Sequence, residues 1–565
     1  MVSKTRNSDY DGVRKQGRHQ MVGKQRNDLI PKEKNGVSLA GDDRQVYEIL
    51  LDVIEKRRQS GISTLGFLLS QIWQKTMTIW RRCVYFDQPT NFVFPSRGAS
   101  VTGGDKISMY EPVHLGENKD AMIPTERKGV TLTDVERQCY ESLLGVVEAR
   151  QLSCTPKPQI VIITDLAKDY DDLAAMVVLK ELHRLGVVEL LGFIANLQPA
   201  ADRARFGRGA LDHLGLGNIR IATGTCGYPE SESKRHRVAP YEFDDCPFMA
   251  DKDDWRLKAK DSAKQLSGED LLFELCLNAE QTGRKLTLLL ISSLEDINAF
   301  SENNRRLLKS SVANIVLQGG YRVSADGQLQ PLMEANNNRY DPIAAERFHT
   351  LIQDLEIKST VYTRTAAIAA TMEPKVFAEL AETGNKVGEH LWTVQKAQDV
   401  SYYSNASLED LSQRYYADRD RLYFLRTRTH LYRDHCEGDP LPIGEEVSEF
   451  TKVVVYDALA AIGVSGDDAL EALNVLDSKH NDIMTTESEC VRALKERHQV
   501  VGFEKKNLFE GKEVTESVSC IKAENMVATL KALLKGSLIS SPLEPQTHPH
   551  SHETQRSQYF DPLSN

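Results

Sequence analysis

The sequence predicts an α/β protein: a mainly parallel open sheet with helices on both faces, flanked by helical N- and C-terminal extensions. Two observations carry that prediction. From about Pro156 onward, short apolar, β-branched runs alternate with helical repeats, the pattern of strand–helix crossovers. Residues 159–186 show the unit most clearly. Residues 160–164 are one apolar run, then Ala175, Val178, Leu179, Leu182 and Leu185 recur at helical spacing until Gly186 stops the helix. Between strand and helix lies a turn with four carboxylates, Asp165, Asp169, Asp171 and Asp172. Open α/β sheets bind ligands at the carboxyl ends of their strands. Four like charges in one turn repel unless a cation or a proton sits among them.

Taken in order, residues 1–40 are polar and basic and read as a disordered arm. Residues 41–155 read as a helical N-terminal extension. Val46, Ile49, Leu50, Val53 and Ile54 recur at helical spacing, and further helices are expected at 65–80 and 134–150. Residues 156–475 form the main domain. Its strands are expected at 160–164, 187–195, 219–222, 286–291, 314–317 and 356–362, with helices at 200–214 and 268–281 among those between. Residues 476–539 read as a helical C-terminal extension. Residues 540–565, rich in Pro, Ser and His, read as a disordered tail in which His548, His550 and His552 alternate without marking a metal site.

A length of 565 residues with 41% hydrophobic content suffices for a large core. The net charge of −11 argues against nucleic-acid binding through a basic surface. No apolar run reaches the roughly 18 residues of a membrane span, and the N-terminal residues lack the apolar segment of a secretory signal. Nine scattered cysteines without a Cys-x-x-Cys pair suit reduced thiols, hence a cytoplasmic or nuclear setting. The Gly-x-Gly pairs at Gly207/Gly209 and Gly215/Gly217 do not open a helix after a strand, so they read as turns.

The acidic turn has a simpler reading. Asp171 and Asp172 would complement a helix dipole, at about 0.3–1 kcal/mol each, and Asp165 would be a solvated turn residue. That suffices for one or two of the acids and leaves the rest without a role.

The turn resembles the opening motif of nucleoside hydrolases, an apolar strand followed by Asp-x-Asp-x-x-x-Asp-Asp. Asp165, Asp171 and Asp172 match its first, third and fourth acids, while Ala167 stands at the second, and Lys168-Asp169 replaces the usual Pro-Gly. Four more stretches are similar to that family in the same order. They are residues 286–300; residues 314–324 with Gly319 and Gly320; residues 334–348 with Asp341-Pro342 and Ala344-Ala345; and residues 453–464 with Asp457. The resemblance covers about residues 156–464.

The resemblance implies hydrolysis of the N-glycosidic bond of a ribonucleoside or related ribosyl compound, with a small-molecule ribosyl substrate and a calcium ion. It assigns the metal to Asp165, Asp172, Asp457 and the backbone carbonyl of Ile291. Asp171 holds a ribose hydroxyl and is the nearest carboxylate to act as base, since Ala167 removes the family's own. Tyr456 stands where many members carry a histidine that protonates the leaving base. Asn196 and Glu334, with Asn336 or Asn337, would bind substrate. Ala167 and Tyr456 also motivate an alternative: a ribose-ligand protein, for a nucleotide or an ADP-ribose-like molecule, with little turnover. A homo-oligomer stays open.

Overall fold

In a computed structural model the chain divides into two units, residues 1–108 and 109–565. The structure describes residues 119–542 apart from 228–238, 244–245, 261–263, 416–418, 433, 437–438, 478–487 and 510–511. The arm at 1–40, the helices expected at 43–58 and 65–80, and the tail from 543 onward lie outside the described residues.

Seven strands form one wholly parallel sheet: β1 (Gln159–Thr164), β2 (Glu189–Ala195), β3 (Arg220–Thr223), β4 (Leu286–Leu290), β5 (Val312–Gly319), β6 (Lys358–Thr363) and β7 (His498–Val501). Their spatial order is β7-β6-β5-β4-β1-β2-β3. The chain builds outward from β1 in both directions, so the order reverses between β1 and β4. The crevice at such a reversal is where open sheets bind ligands.

The main helices are α1 (Asp134–Leu152), α2 (Tyr170–Arg184), α3 (Ala200–His213), α4 (Gly268–Thr282), α5 (Glu295–Ser311), α6 (Pro342–Asp354), α7 (Lys386–Ala406), α8 (Arg421–Arg428), α9 (Tyr456–Gly463) and α10 (Ala523–Ser540). Every residue of β1 is buried, because helices cover both faces. Alternation divides the strand between two cores. Ile160 and Ile162 pack with residues of α2, α9 and α10, while Val161 and Ile163 pack with residues of α4, α5 and α6. Local signals fix several helix starts. Thr133 and Glu136 form a reciprocal capping box on α1. Asp341 caps α6 through a 2.9 Å bond from Ala344 N, with Pro342 in the first turn. No helix among the described residues is long and apolar enough to cross a membrane.

The segment read as helical at 476–539 contains the helix Glu489–Arg497 and α10, but it also supplies β7 and a hairpin, Phe503–Phe509 with Lys512–Val518. β7 runs straight out of a helix with only Val500 and Val501 as apolar residues, too few to show a period. Its edge position is fixed by sheet pairing with β6 and by a 2.8 Å hydrogen bond between Ser359 Oγ and His498 Nδ1.

Candidate functional site

The acidic turn leaves β1 at the reversal of strand order. Lys168 N donates to Asp165 O at 3.0 Å, and Ala167 takes a left-handed conformation with φ of 72°. Arg203, fully buried, clamps the turn: its guanidinium donates to Leu166 O at 2.9 Å and to Leu197 O at 3.3 Å, and pairs with buried Glu242 at 2.7 Å. Each of these backbone oxygens gains a charge-assisted partner, which fixes the turn against the sheet.

Four carboxylates converge above it. Asp169, Asp171, Asp172 and Asp457 each offer an oxygen within 4.8 Å of those of the others, although Asp457 comes from α9, nearly three hundred residues later in the chain. α2 delivers the first three and α9, packed beside it, the fourth. Asp169 sits at the N-cap of α2 with an extended backbone, yet its carboxylate makes no capping bond. Asp172 is 2% exposed and accepts from Thr164 Oγ1 and, at 3.1 Å, from Asp165 N. Asp171 Oδ1 is buried and has no hydrogen-bond partner among the described residues. Dipole complementation by two exposed first-turn acids does not describe this arrangement.

Electrostatics say the same. Burial, then the neighbouring carboxylates, pushes the pKa values of Asp171, Asp172 and Asp457 well above the usual range. Burial raises that of Asp165 to about 6, with Lys168 and Arg203 acting against it. A buried oxygen-only cluster with an orphaned carboxylate oxygen fits a hard divalent cation; it offers no His or Cys ligand of the kind zinc prefers.

The predicted site residues fall into three groups. Asp171, Asp172 and Asp457 come together. Asp165 is buried beside them and acts on Asp172 and Asp457 through its charge, but the converging set holds Asp169 in its stead. Asp169 was legible as a fourth acid; its inward direction depends on the turn geometry around Ala167. Ile291 directly follows β4, its N–H bonded to Ile163 O at 3.0 Å, so it stands at the same strand ends as Asp165.

Asn196 is fully buried, and its amide is engaged within the protein. Nδ2 donates to Ser293 O at 3.1 Å and Asp296 at 2.8 Å, and Oδ1 accepts from Ser292 Oγ at 2.5 Å. These bonds tie the end of β2 to the loop after β4. Asn337 is likewise buried and donates to Gln318 at the end of β5, whereas Glu334 and Asn336 are exposed. The ring of Tyr340, in the short helix Asn336–Tyr340, lies under Lys168 Nζ at 4.9 Å, bringing this segment to the acidic turn.

Tyr456 opens α9, half-buried, and accepts a 3.3 Å hydrogen bond from Arg428 at the end of α8. Two cationic residues were not anticipated from sequence. Burial disfavours the Lys168 ammonium, but Tyr340, Asp165 and Asp169 hold its pKa well above the usual lysine value. Arg428 lies amid Tyr456, Tyr170, Tyr402 and Asp399. The basic, aromatic composition of residues 421–432 was the one signal for it.

No protein-family model matches the chain, and no curated protein matches its sequence. Solved structures do match. The type III effector protein XopQ, in complex with adenosine diphosphate ribose, superposes with a TM-score of 0.53 at 21% identity, over 72% of this chain and 99% of that one. The effector protein XOO4466 gives 0.54 at 21% identity, over 72% and 100%. A purine-preferring ribonucleoside hydrolase from Gardnerella vaginalis is also among the structural neighbours, at a TM-score of 0.41 and 14% identity over 67% of this chain and 99% of that one. The chain thus has the α/β fold of the two effector structures, over nearly their whole length.

Proposed function

We propose that the protein hydrolyses the N-glycosidic bond of a ribosyl compound at the four-carboxylate site. The observation that carries this reading is the convergence of Asp457 with Asp169, Asp171 and Asp172, together with the orphaned oxygen of Asp171. Asp169, Asp172 and Asp457, with Asp165 and the Ile291 carbonyl at their margin, would hold calcium. Bound there, the ion would order a water and the ribose hydroxyls.

The protein's own groups supply the remaining chemistry. Cleavage passes through an oxocarbenium-like transition state: water oxygen bonds to the anomeric carbon, and the base departs with the C–N electron pair. Asp171, with a free oxygen and a raised pKa, takes the proton from that water. Tyr456 gives a proton to the departing base. Because its oxygen accepts from Arg428, its own hydrogen is left to donate. Glu334 and Asn336, both exposed, would bind the ribose.

A second reading is a ribosyl-ligand protein with little turnover, acting in a cytoplasmic or nuclear setting. Ala167, without a carboxylate, favours it, and so does the ADP-ribose bound in the XopQ structure. One experiment separates the two. Incubate the full chain with calcium and a panel of nucleosides, nicotinamide riboside and ADP-ribose; measure free base or free adenosine-side product by chromatography, and binding by calorimetry. Base release from any member, lost in Asp171→Asn, supports hydrolysis. Binding without release supports the second reading, and neither binding nor release overturns both.

A further inference from the structure

Beyond the Arg428 bond that orients Tyr456, the site carries guanidinium charge that hydrolysis of a neutral nucleoside does not call for. Arg364 follows β6 directly, at the same strand ends as the acidic turn, and donates to Tyr423 Oη at 3.1 Å. The Arg419 guanidinium lies 5.6 Å from the centre of the Tyr423 ring. Arg428, the last residue of α8, donates to Tyr456 Oη at 3.3 Å. Its backbone is held by Lys452 N at 2.7 Å and by the Thr429–Thr451 bridge, so the Arg428 guanidinium stands on a braced frame.

Neither Arg364 nor Arg428 has a carboxylate within ion-pair distance among the described residues, whereas the buried clamps Arg150 and Arg203 pair with Asp468 and Glu242. Arg364, hydrogen-bonded through one N–H to a phenol oxygen, keeps most of its donors for another acceptor, while Arg428 also feels the charge of Asp399. The local field favours an anion there. Burial alone would raise the pKa of Tyr423, but Arg364, Arg419 and Arg428 draw it below the usual tyrosine value.

β6 is three places from β1 in the sheet, about 14 Å at ~4.8 Å per strand. Tyr456, one residue before Asp457, joins the two poles: Arg428 donates to it, and Arg364 interacts with it through charge.

We propose that Arg364 and Arg428, gathered on Tyr423 and Tyr456, form a phosphate subsite, so that the ribosyl ligand of this protein is phosphorylated. The proposal deepens the ribosyl reading and rests on it for the sugar, but the anion site is measurable by itself. The test titrates the full chain, by calorimetry, with pyrophosphate, adenosine, AMP and ADP-ribose, in wild type, Arg364→Gln and Arg364→Lys. Arg364 is exposed, so both variants keep the fold, which circular dichroism melts verify.

Wild type should bind AMP or ADP-ribose at least about tenfold more tightly than adenosine, the worth of one charge-assisted bond. Arg364→Gln should collapse that ratio toward one and weaken pyrophosphate about tenfold, with Arg364→Lys in between. Which of AMP and ADP-ribose binds more tightly tells one phosphate from two. Equal affinity for AMP and adenosine in wild type, or a phosphate preference unchanged in Arg364→Gln, overturns the subsite. Should no ribosyl compound bind, pyrophosphate binding that is lost in Arg364→Gln upholds the subsite while the ribosyl reading falls; no pyrophosphate binding removes the subsite too.

Discussion

Ala167 is where the chemistry of this turn differs from the motif it resembles, and the structure supplies a replacement two residues on. Asp169 brings the fourth carboxylate to the group, and Ala167, two residues before it, takes a left-handed backbone. We therefore expect Asp169→Asn to weaken calcium binding at least about tenfold, more than Asp165→Asn does, since even partners outside the ligand shell cost 10–100-fold in metal affinity. Calorimetric titration of calcium into the two variants checks the order; a larger loss in Asp165→Asn would return the site to the arrangement read from sequence. Lys168 places an ammonium where its charge acts on Asp165 and Asp457. Replacing it in Lys168→Met should tighten calcium binding several-fold, because the protein then lacks a cation of its own competing for the same field. The acids themselves were visible in sequence by type and spacing. The direction of Asp169 was not, because it is set by the backbone of the turn and not by residue type, and neither was the Arg428–Tyr456 pair, which joins segments that share no sequence pattern.

Strands and helices with a strong period were legible because burial on two faces leaves an unmistakable apolar run. β1, β2 and α2 fall within a few residues of where the sequence puts them. β7 was not legible, since an edge strand of four residues needs only pairing and two apolar side chains. α10 was read as helical, and its dock is now explicit. Lys180 donates to Ser537 O at 2.8 Å and Ser540 Oγ at 2.6 Å, and Tyr140 donates to Glu181 at 2.6 Å in the same buried layer. Gly536 is the close-approach point, where an added Cβ would stand 1.7 Å from Tyr140 Oη. Gly536→Ala should thus destabilise the domain by about 1–3 kcal/mol, read as a lower midpoint in urea unfolding. An unchanged midpoint would show that α10 is not packed this closely on α1 and α2.

The molecule as a whole gathers buried carboxylates at the carboxyl ends of its central strands, and this sets its pH response. Their folded pKa values lie above the ordinary 3.8, with Asp165 at about 6. A raised carboxyl pKa means the folded state holds protons that the unfolded chain has released. The contribution is full below 3.8 and is lost as pH climbs through about 6 and beyond. A bound cation takes over from those protons, so calcium should raise Tm little at pH 5 and more at pH 7.5; an increment that is flat or falls with pH would speak against the cluster as the binding site. The most direct measurement is calcium titration of wild type against Asp172→Asn and Asp457→Asn at pH 7.5, with unfolding midpoints recorded in parallel. If the two ends of the domain build one cation site, both variants lose calcium binding while remaining folded, and without calcium both are at least as stable as wild type because like-charge repulsion is relieved. Calcium binding of wild-type strength in either variant would contradict the site, and with it the hydrolytic reading.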